Sequence, residues 1–252
     1  MNPEEYRIMF ELEDQHAWYV GLRKMVALSM QKAKPSFCFE TCSSQSCRVL
    51  DVGCGTGATL VFLRQFAVPF GIDISEQAVR FCRSRCEDRT AVGSALALPF
   101  PDESFNGAFS LDVLCHKAVT DKIQPLKEVF RILRPGGVFV LNLPAFQWLY
   151  SSHDINVHTD RRFSRPEVEQ MLRQNGFSIL YTTYWNTLIL PALLGVRLWR
   201  KIAPSRQSDV AFSSGPLATR VLSLSLSFER LLLRWVRFPF GLSILVVAQK
   251  PA

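Results

Sequence analysis

The sequence predicts a doubly wound α/β sheet, and three observations carry that prediction. Residues 49–57 read Val-Leu-Asp-Val-Gly-Cys-Gly-Thr-Gly, a short apolar strand that breaks into glycines before a helical run near Ala58. Strand and helix patterns then alternate as far as residue 142. The chain's 252 residues and 48% apolar content suit one α/β domain with a modest elaboration.

Taken in order, residues 13–30 read as an amphipathic helix with Trp18, Leu22, Val26 and Met30 on one stripe. A polar connector rich in Cys and Ser follows over 34–46. The core then reads as strand 48–52, helix 58–66, strand 69–73, helix 75–86, strand 89–92, strand 107–111, helix 122–133 and strand 137–142. In the helix over 122–133, Ile123, Leu126, Val129, Phe130 and Leu133 mark a buried stripe, and Pro135-Gly136-Gly137 ends it. Ser164 with Glu167 three residues on forms a capping box, Pro166 sits in the first turn, and Gly176 closes that helix. Phe177–Tyr184 and Leu242–Ala248 read as two final strands lying antiparallel side by side. The chain thus divides into a helical cover and connector (1–46), an α/β core (47–184), an apolar and basic insert (185–240), and a last strand with its tail (241–252).

A strand turning sharply into a helix puts backbone N–H groups and a positive helix end at the carboxyl edge of a sheet, and glycines let a ligand approach closely. The spacing Gly53-x-Gly55-x-Gly57 does not match the dinucleotide pattern, and the loop lacks the Lys-Ser/Thr pair of a P-loop. Asp51 just before the glycines suits a cationic amine better than a pyrophosphate, which points to S-adenosylmethionine. Asp73 falls at the tip of the second strand, where a carboxylate can take both ribose hydroxyls. It could also cap the helix beginning near Glu76; Ser75 is available for that role, which favours the ribose.

With these residues in view, the chain resembles the class I S-adenosylmethionine-dependent methyltransferases, and more closely their bacterial small-molecule group of natural-product tailoring enzymes. Asp51-Val-Gly-Cys-Gly-Thr-Gly57 resembles the family's first motif and Asp73 its ribose-binding acid. Leu98-Pro-Phe-Pro-Asp-Glu-Ser-Phe105 resembles the segment entering the fourth strand, and Arg131-Ile-Leu-Arg-Pro-Gly-Gly137 the turn into the fifth. The resemblance implies a seven-stranded, mostly parallel sheet whose last strand inserts beside the fifth, with a helical insert before it. It also implies a cofactor site of Asp51, Gly53, Cys54, Gly55, Gly57, Asp73, Ile74, Ser94, Ala95 and Asp112, covered by Trp18, Tyr19 and Arg23. Gly93-Ser94-Ala95 departs from the family's Gly-Asp-Ala string, so the adenine contact would come from a neutral hydroxyl, weaker by roughly 1 kcal/mol than a charge-assisted one.

Removing a proton from a phenol or alcohol acceptor calls for a base near neutral pKa, hence imidazole. Of four histidines, His116, His153 and His158 fall in loops at the carboxyl edge, and His16 lies in the N-terminal helix. The string His153-Asp-x-x-x-His158-x-x-Arg-Arg162 resembles a signature of the close subfamily. His153 ranks first as base with Asp154 as a neighbour raising its basicity, His158 second and His116 third. Alternatively, the cluster of His158, Arg161 and Arg162 ties its loop to the sheet. Phe146 and residues 184–188 are candidates for an apolar substrate wall.

The expected reaction is methyl transfer to a small hydrophobic molecule, oxygen preferred and carbon open. The alternatives are a cyclase or isomerase using the sulfonium as a fixed charge, or a noncatalytic cofactor-binding partner. Cys38, Cys42 and Cys47 show no metal-ligand pattern, and none is expected to bind zinc. An odd cysteine count and no basic stretch feeding an apolar run at Met1 lead to the expectation of a cytoplasmic protein, and a monomer or homodimer is expected.

The formal net charge of +7 concentrates in the insert. Arg197, Arg200, Lys201, Arg206, Arg220, Arg230, Arg234 and Arg237 stand there against Asp209 and Glu229. No nucleic-acid module accompanies them, so the insert reads as a lid over the active site, as a peripheral membrane contact, or as both.

Overall fold

A computed structural model describes residues 3–33, 46–85, 88–195 and 216–252. Seven strands form one sheet: β1 (Arg48–Val52), β2 (Val68–Asp73), β3 (Thr90–Val92), β4 (Phe105–Leu111), β5 (Leu133–Pro144), β6 (Ser178–Trp185) and β7 (Ser243–Gln249). Their order is β3-β2-β1-β4-β5-β7-β6, parallel except for β7, which runs antiparallel to both neighbours. This is the class I methyltransferase sheet, a Rossmann-like fold, with the last strand inserted beside the fifth. The strand order reverses between β1 and β4, and a ligand crevice opens at such a point outside the carboxyl ends of the strands.

The main helices are α1 (Pro3–Leu12), α2 (Ala17–Lys32), α3 (Ala58–Leu63), α4 (Glu76–Ser84), α5 (Gln124–Ile132), α6 (Ser152–Asn156), α7 (Arg165–Gln174) and α8 (Pro216–Leu232). The period-2 alternation of β5 feeds two cores. Phe139 and Leu141 meet Leu126, Val129 and Ile132 of α5 and Val168 and Leu172 of α7. Val138 and Val140 meet Leu22, Met25 and Val26 of α2, Leu63 of α3 and Leu226 of α8. Burying each such aliphatic side chain contributes about 1.5–3 kcal/mol against the entropy of ordering the chain.

Besides shifts of one to three residues at other element ends and the short helix α6 where a loop was expected, two regions differ from the sequence reading. The N-terminal segment is two helices. Pro3 with Glu4 and Glu5 opens α1 in the manner that the helix dipole favours. The break follows because Glu13 turns inward, and His16 starts α2 by accepting the Trp18 N–H on Nδ1 at 3.3 Å. At the other site, Pro135-Gly136-Gly137 is a register shift inside a strand that already begins at Leu133, with Gly136 at φ +78° donating to the Lys250 carbonyl at 2.9 Å.

The described part of the insert is helical over 190–195 and again in α8, which packs lengthwise on α2. A Cβ on Gly21 would stand 2.9 Å from Leu226 Cδ1, so the two helices meet at van der Waals contact. Glu229, buried in α8, accepts the Thr187 and Leu188 N–H groups at 3.0–3.3 Å and ties the start of the insert to its end. The connector cysteines Cys38 and Cys42, and the basic residues from Arg197 to Arg206, lie outside the described residues.

Candidate cofactor and substrate site

The loop after β1 is shaped by backbone bonds. Gly53 and Cys54 both donate to the Ile72 carbonyl, at 2.8 and 2.9 Å. Gly53 sits at φ +79°, and a Cβ there would lie 2.3 Å from Val113 Cγ2. Gly55, at φ +53°, would put its Cβ 2.6 Å from Met9 Cε. A side chain is disfavoured at both places by the positive φ, and at Gly53 also by the Val113 side chain, whereas at Gly55 the neighbour is the flexible end of Met9. The Cys54 thiol is buried beneath the loop, 3.7 Å from Cys82 Sγ on α4, so this residue meets the crevice through its backbone.

Asp73 accepts the Gly55 N–H at 3.0 Å and the Ser75 N–H at 2.9 Å. Ser75, not Asp73, caps α4, through the Ala78 N–H at 3.3 Å. Burial pushes the Asp73 carboxyl above its ordinary range, and the two backbone donors oppose that shift. Asp51 is almost wholly buried, its Oδ1 has no hydrogen-bond partner, and burial together with Asp73 and Glu13 pushes its pKa up to about 7. Ile74 is exposed beside the loop. Ser94 Oγ accepts the Leu96 N–H at 3.2 Å, and Ala95 packs against the α5 side of the core.

Helix α1, which sequence patterning missed, roofs this loop. Tyr6 is buried next to Asp73 and Ser75, its hydroxyl pKa pushed up to about 12 mainly by desolvation. Phe10 stacks on Phe81 of α4 at 4.8 Å, and Arg85 sits over the Phe10 ring. Glu13 is buried, hydrogen-bonded to Thr56 and paired with Arg85 at 3.0 Å. Burial raises its pKa. Pro3-Glu4-Glu5 was the available signal for α1; nothing local marked Glu13 as inward-facing. Of the predicted cover, Tyr19 is half-buried with its hydroxyl pKa pushed to about 12 by burial, Glu13 and Asp112. Arg23 is half-buried within the field of Glu13 and Asp14, and burial lowers its pKa. Trp18 packs against the α2 core and meets Tyr19 edge-on at 5.1 Å.

At the ends of β4 and β5, Asp112 stands at φ +59° and exchanges bonds with Asn142. The Asn142 amide donates to Asp112 Oδ1 at 2.9 Å and accepts the Trp185 Nε1–H at 2.8 Å. Burial pushes the Asp112 pKa up to about 7, against the Asn142 bond and the charge of Arg162. Asp51, Asp73 and Asp112 have no ion-pair partner among the described residues. One crevice thus collects buried acid that lacks a counter-cation, an open-sided Asp51 oxygen and a glycine cradle. S-adenosylmethionine, with an amine and a sulfonium, fits that donor set.

The candidate bases divide. His116 and His158 come together, ring centroids 5.8 Å apart, because the loop after β4 pairs with residues 158–160. His158 Nε2 lies 3.6 Å from Glu5 of α1. His116 accepts the Ala118 N–H on Nδ1 at 3.1 Å; burial, His158 and nearby lysines lower its pKa. His153 is half-buried on α6. Asp154 differs from its expected role. It is 1% exposed and receives Arg162 through two bonds, at 2.9 and 3.0 Å, plus the Ser151 N–H at 2.8 Å. Its charge is balanced by a guanidinium that also donates to the Ala145 carbonyl, so Asp154 anchors the loop to the end of β5. Beyond it, Phe146, Trp148, Arg161, Phe163 and Glu167 line an open groove of about 770 Å³. Of the expected wall, Phe146 lines that groove and stacks on Tyr184 at 4.9 Å, whereas Tyr184, Trp185, Asn186 and Thr187 are buried as core and none of residues 184–188 lines the groove.

Fold and crevice together have the form of a class I methyltransferase that takes S-adenosylmethionine. Residues 50–141 match the family described as "Methyltransferase domain". The chain is 29% identical over 203 residues to a 24-methylenesterol C-methyltransferase 2 of Oryza sativa subsp. japonica, covering 70% of this chain and 52% of that protein. It is 30% identical over 154 residues to the O-methyltransferase cnsE of Penicillium expansum, covering 56% and 55%. The chain thus spans little more than half the length of these two relatives. They come from a plant and a fungus, so the likeness extends beyond the bacterial tailoring group. Among solved structures, a chain of the complex between the Haloferax volcanii Trm112 methyltransferase activator and a methyltransferase superposes with a TM-score of 0.61 at 21% identity, over 99% of this chain and 95% of that one.

Proposed function

We propose that this protein transfers a methyl group from S-adenosylmethionine to a small hydrophobic acceptor, with oxygen as the preferred acceptor atom and an imidazole receiving its proton. One observation carries the reading: the glycine loop and the His116–His158 pair face the same stretch of α1. Glu5 approaches His158 and Met9 approaches Gly55, and these two helix residues are one turn apart, ~6 Å.

When bound, S-adenosylmethionine supplies an electrophilic methyl on a cationic sulfur. Asp73 keeps lone pairs free for ribose hydroxyls after accepting two N–H groups. Asp51 and Asp112 offer negative charge to the amine and sulfonium, and Tyr19 and Arg23 close the methionine end. His116 accepts a backbone N–H on Nδ1, so its neutral ring carries the proton on Nε2 and can donate to an acceptor oxygen. His158 takes the acceptor's proton, and Glu5 steadies the imidazolium that results. His153 is the competing base. The aromatic groove around Phe146 would wall an apolar acceptor. Relatives named as C- and O-methyltransferases suit an acceptor that offers oxygen or an activated carbon.

Formation of S-adenosylhomocysteine with a panel of phenolic, sterol and polyketide-like acceptors tests the reading. His158→Gln is expected to lower turnover by about 100-fold or more at unchanged cofactor affinity, whereas His153→Gln leaves turnover near wild type. The reverse pattern assigns the base to His153. Tight cofactor binding with no S-adenosylhomocysteine from any acceptor would replace methyl transfer with the cyclase or noncatalytic alternative.

A further inference from the structure

The two faces of α8 do different things. Leu226, Glu229 and Leu233 are buried toward α2 and the start of the insert. On the outer side, Val221, Leu224, Phe228, Leu231 and Trp235 recur at alternating steps of three and four residues, and they are 51–86% exposed. Helical bonding carries the stripe past Leu232, since Trp235 and Val236 both donate to its carbonyl at 2.9 Å. Residues at this spacing share one helix face, so five large apolar side chains form a continuous strip. Val236 and Phe240, 51% and 49% exposed, extend it. Such a strip is larger than the scattered surface apolar residues that need no explanation.

Charge identifies what the strip meets. Arg220, Arg234 and Arg237 are exposed and Arg230 is half-exposed, and Lys32 reaches the Arg234 carbonyl at 2.8 Å. The only acid between residues 216 and 240 is Glu229, and its carboxylate is turned inward on backbone N–H groups. A second copy of the chain would bring arginines against arginines. An anionic bilayer surface satisfies both features at once: the apolar strip enters the headgroup–acyl boundary, and the arginine stems lie along it with their guanidinium groups among the phosphates. No described helix is long and apolar enough to cross a membrane, which leaves α8 lying in the surface plane.

We propose that the outer face of α8 docks this protein onto an anionic lipid bilayer, with Phe228 and Trp235 as the inserted anchors and the flanking arginines as the electrostatic component. The proposal is independent of which acceptor is methylated. Its test is flotation of the full chain with vesicles of phosphatidylcholine alone and with about 30% phosphatidylglycerol, at low and high salt. Co-flotation with the anionic vesicles only, weakened by salt, is the expected result. The double variant Phe228→Ser/Trp235→Ser should reduce partitioning by about tenfold or more while keeping the wild-type melting temperature, since both side chains already face outward. Wild-type protein that stays at the bottom of the gradient with anionic vesicles overturns the proposal. So does a concentration-dependent dimer in sedimentation that the same double variant abolishes, because the strip would then be an interface between copies.

Discussion

The two halves of the sheet edge are built in opposite ways. Around β1 and β2, acids are held by backbone donors a few residues away or across one strand: Asp73 by Gly55 and Ser75, the glycine loop by Ile72. Around β5 and β6, side chains do the holding: the Arg162 guanidinium for Asp154, the Asn142 amide for Asp112 with Trp185 behind it, and the Glu229 carboxylate for the Thr187 N–H. The first half is short of positive charge and ready for a cation. The second pairs its buried Asp154 with a guanidinium and lines its groove with aromatic rings. A cofactor common to many enzymes can be held by local backbone geometry, whereas an acceptor particular to one enzyme is met by side chains on separable loops.

Breaking the half held by side chains should have the largest effect. Asp154→Asn leaves the Arg162 guanidinium buried without its counter-charge, and a loss of about 3–5 kcal/mol in unfolding free energy is expected by denaturant titration. If the halves are as separate as their bonding suggests, the folded fraction still binds S-adenosylmethionine normally. Cofactor affinity that collapses together with stability would show that the 151–162 loop also shapes the glycine crevice.

Next in size is the cofactor half itself. Asp51→Asn removes an uncompensated carboxylate and should weaken binding by about 1–3 kcal/mol in titration calorimetry. The pH dependence sharpens this. Burial holds the free-protein pKa of Asp51 near 7, above its ordinary value, so its protonated form is favoured in the fold. The stability that Asp51 contributes is therefore complete at low pH and is lost as pH rises toward 7. A cationic ligand favours the ionised form, so wild-type affinity should tighten by up to about tenfold per pH unit from about pH 5 to about 7, then level off. Asp51→Asn should flatten that slope, with Asp112 accounting for what remains. A slope unchanged in the variant would move the titrating group from Asp51 to Asp112.

The same contrast explains what was legible in the sequence. Glycines at fixed spacing, an acid closing an apolar strand and a capping serine are local signals, and they located Asp51, the loop and Asp73, whereas the order of strands followed from the family resemblance. Asp154 was read as partner to its sequence neighbour His153, because no local pattern announces that Arg162 folds back upon it. Glu13 and Tyr6 escaped for the same reason: each becomes part of the crevice only once α1 packs on α4, a contact between segments some 70 residues apart. The insert was readable as apolar and basic, but which face would be covered depended on α2. There, Gly21 leaves the hollow that Leu226 fills.

The smallest expected effect tests how far local bonding suffices. Ser75→Ala removes the cap on α4 and the hydroxyl beside Tyr6, which should lower stability by about 1 kcal/mol. Asp73 keeps both of its supports, since they are backbone N–H groups that the substitution retains. Cofactor affinity should therefore change by less than about threefold, even though the altered residue lies two positions from the acid proposed to hold the ribose. A tenfold loss in calorimetry would mean that the Ser75 hydroxyl, through Tyr6 and the roof of α1, orders the carboxylate. The near half of the site would then depend on distant packing as much as the far half does.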